Sequence, residues 1–341
     1  MTELLIGTYP PGGPGGEPGS GEGVWLVTLD GVTGALSGRL AVPTPAPSFL
    51  AVTPDRRTVV AAGETSPGRV TVLERDDGSL VERAMAGSGG SGSCHVVVHP
   101  GGEVAYLANY TSGSISVVPL GGDGGLAGGV AQVFEHSGRS AHPDRQEGPH
   151  AHSTMIAPGG RYLLAADLGT DEIRRYRVGE RGMLEEAGLA ATLPAGTGPR
   201  HMAIGPAGTV HVVGELDGAV HVFRWEQDSL HLVQVLPAVP GADAGLPGHV
   251  LVAGDELLVS VRGPDVISRF RIGGDGHLDR IGELPLPGSW PRHFAVVGPW
   301  AVVALQEDDA VVAVPRRPEL AECGPGGGLE VPAPACVVPA G

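Results

Sequence analysis

Apolar residues in this chain come in short runs bounded by Pro, Gly and Asp, and one such run recurs. It reads Ser48-Phe-Leu-Ala-Val-Thr53-Pro, then Cys94-His-Val-Val-Val-His99-Pro, His152-Ser-Thr-Met-Ile-Ala157-Pro, Arg200-His-Met-Ala-Ile-Gly205-Pro, Gly248-His-Val-Leu-Val-Ala253-Gly and Arg292-His-Phe-Ala-Val-Val297-Gly. Copies spaced about 45 to 60 residues apart indicate a propeller or solenoid rather than one continuous sheet. After each copy comes a tight-turn sequence, such as Pro100-Gly101-Gly102 or Pro158-Gly159-Gly160, and then a second apolar run. These second runs are Thr58 to Glu64, Val104 to Asn109, Tyr162 to Asp167, Val210 to Glu215, Leu257 to Arg262 and Ala301 to Gln306. They are apolar on both faces, as expected of strands buried between neighbouring sheets. Third runs such as Ser114 to Val118 and Ala219 to Phe223 alternate polar with apolar residues, and the segment after each is more polar still. Four antiparallel strands that become wetter from first to last make one propeller blade.

The two ends of the chain complete the count. Leu4 to Tyr9 and Val24 to Leu29 look like second and third strands without a first, and Pro334 to Val338 looks like a first strand without the rest. Joined, they form a shared blade that leaves no open edge. The expected fold is therefore an all-β, seven-bladed propeller, a single domain over 1–341, closed by its N- and C-terminal strands. Two Gly/Pro-rich stretches, Pro10 to Gly23 and Pro315 to Pro334, read as loops.

Composition narrows the function. There is no lysine, which excludes a Schiff-base mechanism and a GxxxxGK[ST] phosphate loop. The net charge of -16 argues against nucleic acid or an anionic membrane as partner, so an anionic ligand needs a local cluster of Arg and His. No apolar run approaches the roughly 20 residues of a membrane span. Cys94, Cys323 and Cys336 make no disulfide framework. A cytoplasmic protein, a monomer or small homo-oligomer, is the expectation. His136, His142, His150 and His152 fit no standard zinc spacing, and no GxSxG elbow is present, so neither a metal nor another cofactor is expected.

In an antiparallel meander, residues entering the first strand and leaving the second share one face of the disc. That face collects Ser48, Cys94, His95, His150, His152, Arg200, His201, Gly248, His249, Arg292 and His293 on entry. It collects Tyr9, Glu64, Asn109, Asp167, Glu215, Arg262 and Gln306 on exit. The opposite face receives mostly Pro, Gly and Asp turns, which places the functional mouth on the first. Arg200, Arg262 and Arg292 converging there would repel one another without an anion. Glu215 reads equally as their counter-ion or as a general acid/base, and His249, His293, Asp167 and Asn109 read equally as backbone caps.

Several motifs carry a family resemblance. Arg145-Gln-Glu-Gly-Pro-His-Ala-His152, Ala165-Ala-Asp-Leu-Gly-Thr-Asp171, Gly198-Pro-Arg-His201, Glu215-Leu216, Ala108 to Gly113, Ile6 to Tyr9 and the Cys336 strand together resemble the lactonase family of seven-bladed propellers. Gly63 stands where that family usually has Asn before its Glu, and Val261 where it has Asn before Arg-Gly. The resemblance implies hydrolysis of 6-phosphoglucono-1,5-lactone, a step of the pentose phosphate pathway. A similar propeller, the fungal carboxymuconate lactonizing enzyme, implies His152, Arg200, Glu215 and Arg262 as the catalytic group. The corresponding expectation has His152 as general base on water and Arg200 or Arg262 at the oxyanion. The remaining arginine, with Arg292, would hold the phosphate, and His95, His150, His201, Gln306 and Tyr9 would complete substrate binding. A cycloisomerase or other sugar lactonase is the alternative chemistry. A non-catalytic scaffold is the alternative class, which the absence of a repeated Trp-Asp signature disfavours.

Overall fold

The computed structural model describes residues 1–14, 16–17, 21–76, 78–122, 124–241, 245–316 and 326–341. Cys323 and parts of both Gly/Pro-rich stretches lie outside the described residues. Among the described residues the chain forms seven four-stranded antiparallel sheets, with only short 3-10 turns besides. Blade 1 is the shared one: Pro334–Pro339 is its innermost strand, followed outward by Thr2–Thr8, Val24–Leu29 and Leu36–Val42. Blades 2 to 7 then follow in chain order, with innermost strands Pro47–Val52, Ser93–Val98, Ala151–Ile156, Pro199–Ile204, Leu246–Ala253 and Pro291–Val297. Each innermost strand packs on the next, and the last returns to Pro334–Pro339, so the ring is closed. No helix among the described residues is long and apolar enough to cross a membrane.

The second strands explain how such a ring stays together. Thr58–Gly63, Val104–Asn109, Tyr162–Asp167, Thr209–Gly214 and Trp300–Leu305 are buried at every position. Alternate side chains serve opposite neighbours, as the two-residue strand period dictates. In blade 2, Val59 and Ala61 pack toward blade 1, whereas Val60 and Ala62 pack toward blade 3. Every interface between adjacent blades has its own apolar cluster, seven in all among the described residues. With about 1.5–3 kcal/mol for each fully buried aliphatic side chain, the core is distributed around the ring rather than held at one centre. The outer strands face water on one side, as the burial pattern of Ser79–Gly87 shows.

The second strands of four blades stop one residue short of expectation at the mouth, and in blade 1 Tyr9 lies just past the end. Glu64, Glu215 and Gln306 follow their strands instead of ending them. Each thereby sits on the loop at the mouth, free of the ladder.

Val337, only 1% exposed, joins the C-terminal strand to the cluster between blades 1 and 7. Val337→Asp places a charge there and is expected to cost on the order of 3–5 kcal/mol, read as a lowered urea midpoint. An unchanged midpoint would mean that the shared blade does not close the ring.

Candidate active site

A regular strand cannot aim a side chain out of the disc, because its residues alternate between the two neighbouring blades. The innermost strand solves this with a β-bulge in every blade. In blade 4, Ala151 pairs with Asp167 and Ser153 with Ala166, leaving His152 as the extra residue. In blade 7 the extra residue is Arg292, and in blade 5 Arg200 and His201 share the place opposite Val213. Bulges bend the strand and re-aim side chains. Here the first bulge residue reaches the mouth in blades 4, 5 and 7, as His152, Arg200 and Arg292, and the next turns to the axis in blades 2, 3, 5, 6 and 7, as Phe49, His95, His201, His249 and His293.

The mouth holds a cavity of about 730 Å³. His152, Arg200, Glu215, Arg262, Arg292 and Gln306 all line it, together with Glu64, Glu22, Arg145, Tyr110 and Trp290. Glu215 is the hub of one wall. Its Oε2 accepts from Arg200 Nε and Arg262 Nη2, both at 2.8 Å, and its Oε1 accepts from Arg145 Nη2 at 2.6 Å. Burial alone would raise the Glu215 carboxyl, but Arg262 and Arg200 override it and hold the group well below the usual carboxylate range. A carboxylate so bound is a poor proton acceptor and a good anchor for three guanidinium groups. Burial, then the charge of Arg262, brings Arg200 down to about 9, still charged at neutral pH.

Local structure fixes each of these groups. Asp171 accepts the N–H groups of Gly196 and Gly198 at 2.7 and 2.6 Å, clamping the loop ahead of Arg200. Gly198 has φ of 61°, and a Cβ there would meet Leu216 at 2.5 Å, so the turn into Arg200 requires glycine. Arg262 donates from Nε to the Leu246 carbonyl at 3.1 Å and lies 5.4 Å from the Trp290 ring centroid. On the other wall, Arg292 donates to the Tyr9 hydroxyl at 2.5 Å and to Gln306 Oε1 at 3.3 Å. The Tyr9 hydroxyl in turn donates to Glu64 Oε2 at 2.5 Å, standing behind the wall rather than on it.

His152 is 5% exposed and sits beside Arg200, and burial followed by that positive neighbour holds its pKa well below the ordinary histidine value. The imidazole is therefore neutral and can accept a proton. Cys94 lies beneath it, with Sγ 4.0 Å from Nδ1 and donating to the His152 carbonyl at 3.3 Å. Among the described residues Nε2 has no protein partner, so it is open toward the cavity.

The other histidines take different places. His95, His201, His249 and His293 turn to the axis below the cavity, where they and Phe49 form one cluster of tilted, edge-to-face and stacked rings. Their pKa values are depressed mainly by burial, to about 3 for His95 and His249, so they form a neutral plug. His201 reaches the site only through Arg200, whose Nη1 lies 3.2 Å from its Nε2. His150 stacks on Tyr110 at 4.4 Å and contacts Glu147 at 3.1 Å, outside the cavity wall. His136 lies between Asp167 (2.5 Å) and Tyr176 (2.8 Å) in a fully buried brace. Asn109 likewise bonds to Ser93, Ser114 and Ser116. Among the described residues no group of three or more His, Cys, Asp or Glu is placed to hold a metal.

Sequence reasoning gave no role to Arg145, Glu22, Tyr110 or Trp290. Arg145 was visible as the first residue of the RQEGPHAH segment, but its partner Glu215 lies 70 residues away. The only local signal for Trp290 is its position just before Pro291.

A concave, guanidinium-lined mouth with one neutral imidazole, at the hub of a seven-bladed propeller, defines a small-molecule hydrolase site. The family model described as Lactonase, 7-bladed beta-propeller matches residues 3–339, and the chain belongs to that family. It is 31% identical over 309 residues to a 6-phosphogluconolactonase of Bacillus subtilis, covering 86% of this chain and 85% of the relative. A 6-phosphogluconolactonase of Yersinia pestis is 27% identical over 272 residues, covering 77% and 78% of the two chains. Among solved structures, the periplasmic gluconolactonase PpgL of Pseudomonas aeruginosa superposes with a TM-score of 0.88 at 29% identity, covering 100% of this chain and 99% of the other. The protein is a lactone hydrolase.

The axial plug makes acid stability a direct readout of the site. Unfolded histidines titrate near 6.5, whereas His95 and His249 stay neutral until about 3, so below pH ~6.5 the unfolded state binds more protons. Stability is fully present above that value and falls with pH, by ~1.4 kcal/mol per pH unit per buried histidine. His95→Phe, which copies Phe49 of blade 2, is expected to flatten the fall in melting temperature between pH 6.5 and 4.5. An unaltered slope would mean that His95 is protonated in the folded protein.

Proposed function

We propose that the mouth opens 6-phosphoglucono-1,5-lactone to 6-phosphogluconate. The observation that carries this is the pairing of His152, neutral and open at Nε2, with four guanidinium groups around one cavity. Those four face three carboxylates, Glu22, Glu64 and Glu215, so the mouth of a strongly acidic chain is locally cationic. A lactone is an activated ester, and it needs positioning, a water and a steadied oxyanion. His152 Nε2 takes a proton from water as its oxygen adds to the lactone carbonyl. Arg200 and Arg262, held in place by Glu215, stabilise the oxyanion. The tetrahedral adduct collapses by breaking the bond to the ring oxygen, and the imidazolium returns the proton to that oxygen. Arg292, with Arg145 at the rim, holds the phosphate. The reading carries with it a place in the pentose phosphate pathway, in the cytoplasm. PpgL supports a second reading, hydrolysis of the unphosphorylated lactone by the same group.

His152→Ala is expected to lower kcat by roughly 10²–10⁴ with little change in KM, whereas Arg292→Ala mainly raises KM for the phosphorylated lactone. Rates are measured against spontaneous opening of the lactone. The reverse pattern would refute the assignments, and equal turnover of phosphorylated and unphosphorylated lactones by wild type would favour the second reading.

The depressed pKa of His152 also fixes the pH profile. Its base form persists below the ordinary histidine range, so kcat/KM stays flat from pH 8 through 6 and falls only in more acid solution. A break at or above pH ~6.5 would exclude this imidazole as the base.

A further inference from the structure

The cavity is polarised. One wall presents donors, Arg145, Arg200 and Arg262 around Glu215. The wall contributed by the first two blades presents carboxylates, Glu22 and Glu64, beside Thr65 and Ser66. Glu22 is partly satisfied, since its Oε1 accepts the Ala46 N–H at 2.6 Å. Glu64 is held differently. The relay from Arg292 through the Tyr9 hydroxyl bonds only its Oε2, and its backbone N–H is tied to the Ala46 carbonyl at 2.9 Å. Oε1 has no protein donor among the described residues. The carboxylate is thus fixed in position while one oxygen remains an acceptor facing the cavity.

From this geometry we infer that Glu64 is a specificity-determining residue that selects a polyhydroxylated lactone. An ionised carboxylate can only accept, so its complement in a ligand is a hydroxyl group, and a charge-assisted O–H···O⁻ bond is among the stronger kinds. The same oxygen rejects a second carboxylate in that part of the cavity, because like charges at close range in a partly desolvated site repel. The reacting carbonyl of the substrate faces the guanidinium wall, its anionic end lies between Arg145 and Arg292, and its ring hydroxyls face Glu64. This orientation separates a sugar lactone from a dicarboxylate lactone, which the arginines alone would bind equally well. Glu64 touches neither the attacking water nor the carbonyl in this arrangement, so it acts on substrate choice and not on proton transfer.

The inference rests on the proposed lactone chemistry, and its test separates the two. Wild type and Glu64→Gln are compared on glucono-1,5-lactone and on δ-valerolactone, the same ring without hydroxyls. A ratio between two substrates in one preparation cancels any loss of folded protein. Glu64→Gln is expected to lose roughly 10- to 100-fold more kcat/KM on the hydroxylated lactone than on δ-valerolactone, chiefly through KM. Equal losses on both would overturn the inference and mark Glu64 as a base or a structural residue. Binding of glucitol 6-phosphate, which has the hydroxyls and phosphate but no lactone, is measured by calorimetry in parallel. At least tenfold weaker binding by the variant supports the role even if wild type hydrolyses neither lactone nor 6-phosphoglucono-1,5-lactone, an outcome that would sink the lactonase reading alone. Unchanged binding, or none by wild type, overturns the role of Glu64.

Discussion

Everything at the mouth depends on one backbone irregularity repeated around the ring. Seven innermost strands crowd toward a common axis, and regular strands there would send every side chain into a neighbouring blade. The bulge breaks that alternation once per blade at the same level. The first residue so freed reaches the mouth where it is long enough, as His152, Arg200 and Arg292 do, and an aromatic ring in the next position turns to the axis. Ser48, Cys94, His152, Arg200, Gly248, Arg292 and Ala335 occupy the first place. Because the backbone repeats while these residues do not, a symmetric scaffold carries an asymmetric site.

Burial and charge then divide the labour. The same low-dielectric surroundings that would protonate an isolated Glu215 keep it ionised once Arg262 and Arg200 are bound to it. Burial, then the charge of Arg200, in turn keeps His152 neutral. An ionised anchor and an uncharged imidazole lie in one cavity because the arginines overcome burial at Glu215 but add to it at His152. Removing either partner would leave a buried charge without compensation, which is why Glu215 belongs to the architecture of the site as much as to its chemistry.

The plug of imidazoles shows how the same sequence position can carry two roles. The residue after the bulge is Phe49 in blade 2 and histidine in blades 3, 5, 6 and 7, and the rings pack on one another whichever they are. Aromatic area matters there, not charge. Deep burial depresses these imidazoles so far that they behave as flat, slightly polar aromatics. The floor of the cavity is thus rigid and uncharged, and the cationic character of the mouth comes from arginine.

Much of this was legible in the chain. The recurring apolar run, its turns and the incomplete blades at the two ends determined a seven-bladed ring, because strand period and chain closure are encoded locally and by count. Residues such as His152, Arg200, Glu215 and Arg262 could be assigned to one face from antiparallel geometry alone. Pro47, Pro199, Pro247, Pro291 and Pro334 each stand one residue before a bulge, a signal left unused in the sequence reading, since proline is tolerated at the start of a strand where no ladder hydrogen bond is needed. Only the tertiary structure decided which of those residues line the cavity. His95 and His152 look alike in sequence, yet the bulge sends one to the axis and the other to the cavity. Arg145 joins Glu215 only because the connection from blade 3 to blade 4 crosses toward blade 5, and Glu64 keeps a free oxygen only because Tyr9, brought in by the shared blade, occupies the other. Such pairings arise from packing between blades, and no local pattern along the chain specifies them.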